Sequence, residues 1–200
     1  MMKTEFKKIW RLAIPFLQNC RPGDLLHTVV AMKHLEEIMQ REGVDDDTLI
    51  PTIILHDIGW SDCPKDLVRD FFKSVRDADT NKRLRIAHME AGARLGRQVL
   101  EELNWDQDKI ISITSIIAKH DDSDAMTSPT EKIVFDADFS WRFSSEGFYL
   151  DLERFVDDED FTPEEAINRL ESNIDKLKTP AGKRIASREL TSRKGEILVS

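Results

Sequence analysis

Residues 45–60 read DDDTLIPTIILHDIGW, and the fold class turns on their centre. From Ile50 to Leu55 the chain is almost wholly apolar, and by residue type alone it suits a buried strand. No second strand lies nearby in the sequence for it to pair with, and an unpaired strand has no stability in water. The stretch therefore reads as a buried central helix, capped by Asp47 or Thr48.

Outward from that point, helical periodicity dominates. Asp24 is placed to cap a helix from Leu25 to about Arg41, which Gly43 stops. Its apolar stripe is Leu26, Val29, Val30, Met32 and Leu35. Pro64 opens DLVRDFFKSVRDAD (66–79), and a long helix runs from about Asn81 to Asn104 with Ile86, Met89, Ala93, Leu95, Val99 and Leu103 inward. WDQDKIISITSIIAKHDD (105–122) is another, its β-branched run again mimicking a strand. Pro129 opens one through EKIVFDADFSWRF, and others follow at Glu146–Val156, from Pro163, and from Pro180 as a polar last helix. No internal repeat or Pro/Gly/Ser linker interrupts them. The expectation is one all-α domain over residues 1–200, a bundle of eight to ten helices.

The bulk numbers exclude several classes. Apolar residues make up 40% and charged ones 34% of 200 residues, which suits a globular domain. A net charge of −9, with no basic patch interleaved with aromatics, argues against a nucleic-acid polymer as partner. Cys20 and Cys63 lack CxxC spacing and read as reduced thiols of a cytoplasmic protein, with Cys63 short of any partner base. The first twenty residues resemble a signal peptide superficially, but Arg11 and Pro15 interrupt the apolar stretch, so an amphipathic helix is expected. No apolar run reaches the ~18 residues of a membrane span.

Five histidines remain, and four of them, His27, His56, His88 and His120, fall one per helix at intervals of 29, 32 and 32 residues. Such intervals return a chain to the same level of a bundle, where facing helices assemble a site. Each sits in an apolar stretch: LLHTVV, IILHDIG, RIAHMEAG and IIAKHDD. Four separate buried imidazoles would each need a partner, and one shared metal satisfies all of them. In His56-Asp57 the carboxylate stands where it embraces a cation at the helix end and bridges to another; Gly59 lets a backbone or substrate approach. In IVFDADFSW, Asp136 and Asp138 face different ways, so one of them looks into the site, neutralised there by a cation or strong hydrogen bonds.

With these residues assembled, the chain resembles the HD-domain superfamily of metal-dependent phosphohydrolases, whose order is His, then His-Asp, then Asp: here His27, His56-Asp57 and Asp138. In that family the last Asp typically follows Ala, which selects Asp138 over Asp136. The resemblance covers about residues 20–145, leaving 146–200 as helical cover. It implies an HD-type bundle in which His27, His56, Asp57 and Asp138 hold one ion. In a subset, His88 and His120 hold a second, bridged by Asp57; other relatives hold one ion only. Two features depart from the family. Trp60 stands where many relatives carry Lys or His, and His120 is followed by Asp121, without the paired histidines and Gly-Tyr-Pro of cyclic-dinucleotide phosphodiesterases.

Imidazoles and carboxylates without thiolate suit one or two divalent ions of iron, manganese, cobalt, nickel or zinc. The expected activity is hydrolysis of a phosphoester of a nucleotide or another small phosphorylated metabolite. Metal-activated water attacks, with Asp57 or Asp121 assisting proton transfer. The alternatives are a di-iron oxygenase of the same superfamily, acting on a small polyol or phosphonate, and a non-catalytic binding module. Arg85, Lys119 and Arg142 are candidates to meet the phosphate, and Trp60 either walls the pocket or stacks on a base. Asp121 orients an imidazole or caps its helix, and His34 reads as a surface residue. Composition does not address oligomeric state.

Overall fold

A computed structural model describes residues 3–70, 78–154 and 162–197. Ten α-helices are present among them: α1 (Thr4–Leu17), α2 (Asp24–Glu42), α3 (Leu49–Leu55), α4 (Lys65–Asp70), α5 (Ala78–Glu102), α6 (Gln107–Ile117), α7 (Pro129–Phe139), α8 (Ser145–Arg154), α9 (Pro163–Asn173) and α10 (Pro180–Ile197). Short 3-10 turns span Ile58–Asp62, Ser140–Phe143 and Ile174–Lys176. The described residues contain no strand, so the fold is all-α, as the reading of Ile50–Leu55 requires. Residues 71–77 of the segment 66–79 that Pro64 opens, and the last two of Glu146–Val156, lie outside the described residues.

The lack of periodicity in α3 has a packing cause. Ile54 and Leu55 face a cluster with Ile9 and Ala13 of α1, Val99 of α5 and Ile113 of α6. Leu49 and Ile53 face another, with Leu35 of α2, Val134 of α7 and Ile185 of α10. A helix enclosed on every side needs no polar face. Fully burying each such Leu or Ile contributes about 1.5–3 kcal/mol. A third cluster joins Phe143, Phe148, Ile167, Leu170 and Leu190. Residues beyond 146 thus share a core with the helices before them.

Several local expectations are corrected. Thr48, one of the two expected caps, holds the N-cap position of α3, but its side chain makes no capping hydrogen bond: Asp46 Oδ1 accepts from the Thr48 backbone N–H and hydroxyl instead. Asp24 is the first residue of α2 and not its cap, with Gly23 before it at φ 91° and Gly43 after it at φ 67°. The stripe of α2 is rotated: Leu26 and Val29 are exposed, while His27, Ala31, His34, Leu35 and Ile38 are buried. His34 is consequently not a surface residue; its Nδ1 lies 2.9 Å from Ser140 Oγ. Ile86 of α5 is also exposed, because the inward register there belongs to His88 and Met89. Among the described residues, no helix is long and apolar enough to cross a membrane.

Candidate metal centre

The helix α3 ends at Leu55, and the chain turns into the 3-10 segment Ile58–Asp62. His56 and Asp57 occupy that junction, where the loss of α-helical geometry lets two consecutive side chains converge. Gly59 makes the approach possible: a Cβ there would lie 1.9 Å from the His88 carbonyl oxygen and 2.4 Å from the Gly92 nitrogen. The close approach that Gly59 permits is therefore by the α5 backbone, and it carries His88 to the site.

His27 from α2, His56, His88 from α5 and His120 beyond α6 are all buried. They form two pairs. Nε2 of His27 and His56 lie 2.9 Å apart, and Nε2 of His88 and His120 lie 3.4 Å apart. Asp57 stands between the pairs. Its Oδ2 is 3.5 Å from both His27 and His56 Nε2. Its Oδ1 is 3.6 Å from His88 and 3.5 Å from His120 Nε2. Asp138 completes the first group, with Oδ1 3.1 Å from His27 Nε2 and 3.5 Å from His56 Nε2. Asp121 joins the second, with Oδ2 3.7 Å from His88 Nε2.

This arrangement fits metal ions. The Nδ1 atoms of His56, His88 and His120 sit 2.7, 3.3 and 2.8 Å from the carbonyls of Ile53, Leu84 and Ile117. A carbonyl only accepts, so each Nδ1 carries a proton, and in the neutral ring each Nε2 turns a lone pair inward. For His88 and His120 those lone pairs face one another, which a cation between them resolves. With metal–nitrogen bonds of about 2.1 Å, adjacent donors lie about 3.0–3.4 Å apart. The observed separations, 2.9–3.7 Å, cluster around that range.

Electrostatics agree with a cation-ready pocket. Burial disfavours the charged form of His56, but the carboxylates of Asp57 and Asp138 overcome it and raise its pKa to about 9. Burial, aided by the neighbouring His120, pushes His88 down to about 3. Burial alone would raise Asp57, yet His56 and Arg21 hold it well below the usual carboxylate range. Burial raises the thiols of Cys20 and Cys63, as inert cysteines require.

Asp136 and Asp138 do face different ways. Asp136 Oδ1 accepts from the Lys178 backbone at 2.8 Å, and Oδ2 accepts from the Thr179 backbone and hydroxyl, each at 2.7 Å. Its charge thus faces the N-terminus of α10, away from the histidines.

The expectations for two residues are corrected. Lys119 donates to Glu131 Oε1 at 2.6 Å and is turned away from the site. Trp60 is buried, stacked on His88 with centroids 4.1 Å apart, and its Nε1 donates to Asp57 Oδ1 at 3.1 Å. It walls the histidines and has no face left for a base. Asp57 has both oxygens engaged by donors, Oδ2 by Arg21 and Oδ1 by Trp60, and Asp121 lines an open cleft. That cleft, of about 270 Å³, is also lined by Arg85, Asp138 and Arg142, together with Asn173 and Lys176.

Sequence reasoning missed Arg21. Its Nη2 donates to Asp57 Oδ2 at 2.9 Å, its Nε bonds Asp24, and its guanidinium lies 4.1 Å over the Trp60 ring. Arg154 Nη2 approaches Asp24 Oδ1 at 3.6 Å from α8. The spacing Arg21–Asp24 was the available signal; nothing local pointed to Arg154, Asn173 or Lys176.

The sequence matches the HD domain family over residues 25–139. No curated protein matches it. In structure it is similar to a predicted HD superfamily hydrolase from an uncultured Thermotogales bacterium, known from a crystal structure. The two share a TM-score of 0.62 and 19% identity over 96% of this chain and 88% of that one, a likeness of fold. The match over residues 25–139 takes in more than half of the chain and all seven converging His and Asp residues, and the chain belongs to the HD-domain family.

Proposed function

We propose that the protein is a metal-dependent phosphohydrolase that cleaves a phosphoester of a nucleotide or another small phosphorylated metabolite. The observation that carries this reading is the position of Asp57 between two histidine pairs, one oxygen toward each. His27, His56 and Asp138 would hold one ion and His88, His120 and Asp121 a second, with Asp57 between them. When bound, the metal supplies the Lewis acidity that lets water ionise near neutral pH and polarises a phosphoryl oxygen.

The chain's own groups do the rest. Arg21 and Trp60 keep the two Asp57 oxygens aimed at their pairs. The carbonyls of Ile53, Leu84 and Ile117 fix the imidazole tautomers. Asp121, at the boundary between cleft and histidines, takes up the proton of the attacking water. Arg85, whose Nε is 3.9 Å from Asp121 Oδ2, is placed to neutralise the phosphoryl charge. The seven converging donors, five of them buried, and the cleft together support a small substrate and not a polymer.

The test is hydrolysis of a panel of phosphoesters by untagged protein of measured metal content, beside a His56→Ala, Asp57→Ala double variant. Wild-type turnover with one to two transition-metal ions per chain, and loss of both in the variant, is expected. Equal turnover by the two proteins would overturn the proposal.

A further inference from the structure

We infer that the substrate is a short, doubly anionic phosphoester, whose second anionic group is held by Arg142 and Lys176. This rests on reading the centre as a phosphohydrolase. The cleft over Asp121 and Asp138 is ringed by three cations from three separate elements: Arg85 of α5, Arg142 of the turn Ser140–Phe143, and Lys176 of the turn Ile174–Lys176. One phosphoryl group against a metal centre needs no more than one of these. Arg85 is the one beside Asp121, and so the one assigned to the phosphoryl group.

The other two are surplus to that task. Arg142 reaches Asp151 only at 4.0 Å, and its guanidinium is supported on the Phe139 ring at 5.6 Å. Lys176 makes no ion pair among the described residues. Asn173, three residues earlier, adds an amide to the same rim. A pair of cations held over this cleft in an acidic protein selects for a second negative charge. The volume, about 270 Å³, lies at the small end for ligand pockets, which favours a compact acid over a nucleotide with its base. Residues beyond 146 would on this account supply specificity as well as cover.

The experiment uses metal-reconstituted full-length protein and two phosphonates that resist hydrolysis, 3-phosphonopropionate and propylphosphonate, which differ in one carboxylate. Titration calorimetry should show 3-phosphonopropionate, the probe with the carboxylate, binding about tenfold tighter, the size of one charge-assisted contact. Lys176→Met and Arg142→Met together should bring the ratio close to one, with metal content and melting temperature kept. Equal binding of the two probes by wild type, an unchanged ratio in the double variant, or tighter binding of adenosine 5′-monophosphate would each overturn the inference. The preference with no turnover of any phosphoester would overturn the proposed function and leave the anion pair standing. Turnover without the preference would do the reverse.

Discussion

Arg21 donates to Asp57 Oδ2 at 2.9 Å, the same oxygen that faces His27 and His56. Asp57 is thus held between a permanent cation and the place of an exchangeable one. Removing one partner of a buried ion pair costs about 3–5 kcal/mol, because the other charge is left uncompensated. Arg21→Met should therefore destabilise the metal-free protein by several kcal/mol and the metal-loaded protein by less. Differential scanning calorimetry with and without metal would show a larger metal-induced rise in Tm in the variant. An equal rise in both proteins would mean that Arg21 does not balance Asp57.

His34 predicts an acid limb of stability. Burial, with Lys33 and Arg188 adding to it, lowers its pKa from 6.5 to about 4. The unfolded chain takes up a proton below about 6.5 while the folded one does not, so stability falls as pH drops from 6.5 toward 4. Between pH 7 and pH 5 the loss from this group is about 2 kcal/mol. Urea denaturation of metal-free protein should show that loss reduced in His34→Gln, where the amide can still bond Ser140. A wild-type-like slope in the variant would remove His34 from the account.

Asp136 and Asp138 should separate cleanly. Asp136→Ala strips the acceptor from two backbone N–H groups and a hydroxyl at the start of α10, costing about 2–4 kcal/mol while metal content persists. Asp138→Asn should keep the fold and lose metal from the first histidine pair. Elemental analysis and thermal melts of both variants check the division; metal loss in Asp136→Ala at full helicity would contradict it.

Gly59→Ala should be severe. Its Cβ would overlap the His88 carbonyl and the Gly92 backbone, neither of which is a flexible side-chain end. The α5 backbone must shift, and the forced overpacking costs about 1–3 kcal/mol or more. We expect a lower Tm together with loss of the metal held by His88 and His120, and retention of the ion at His27 and His56. Full occupancy at both places would show that the close approach is dispensable.

Much of the site was legible from one sequence because its donors are chemically conspicuous. His27, His56, His88 and His120 stand in apolar surroundings, and a buried imidazole demands a partner wherever the helices lie. The same logic fails for Lys119 and Trp60. Being next to a ligand or to the HD pair does not say which way a side chain points, and Lys119 found Glu131 instead. The rotated register of α2 shows the competing force: placing His27 and His34 inward takes Leu26 and Val29 out to the surface.

The all-α class, the helices and the four inward histidines follow from the sequence itself, since periodicity and the cost of burying polar groups are local properties of the chain; the family resemblance added the choice of Asp138 over Asp136. Only the tertiary structure decided that Asp121 joins the second histidine pair, that Arg21 and Trp60 hold the two Asp57 oxygens, and that Arg142 and Lys176 border one cleft. Those are relations between residues far apart in the chain. Helix packing sets them, within tenths of an ångström at Gly59, and no pattern along one segment carries that distance.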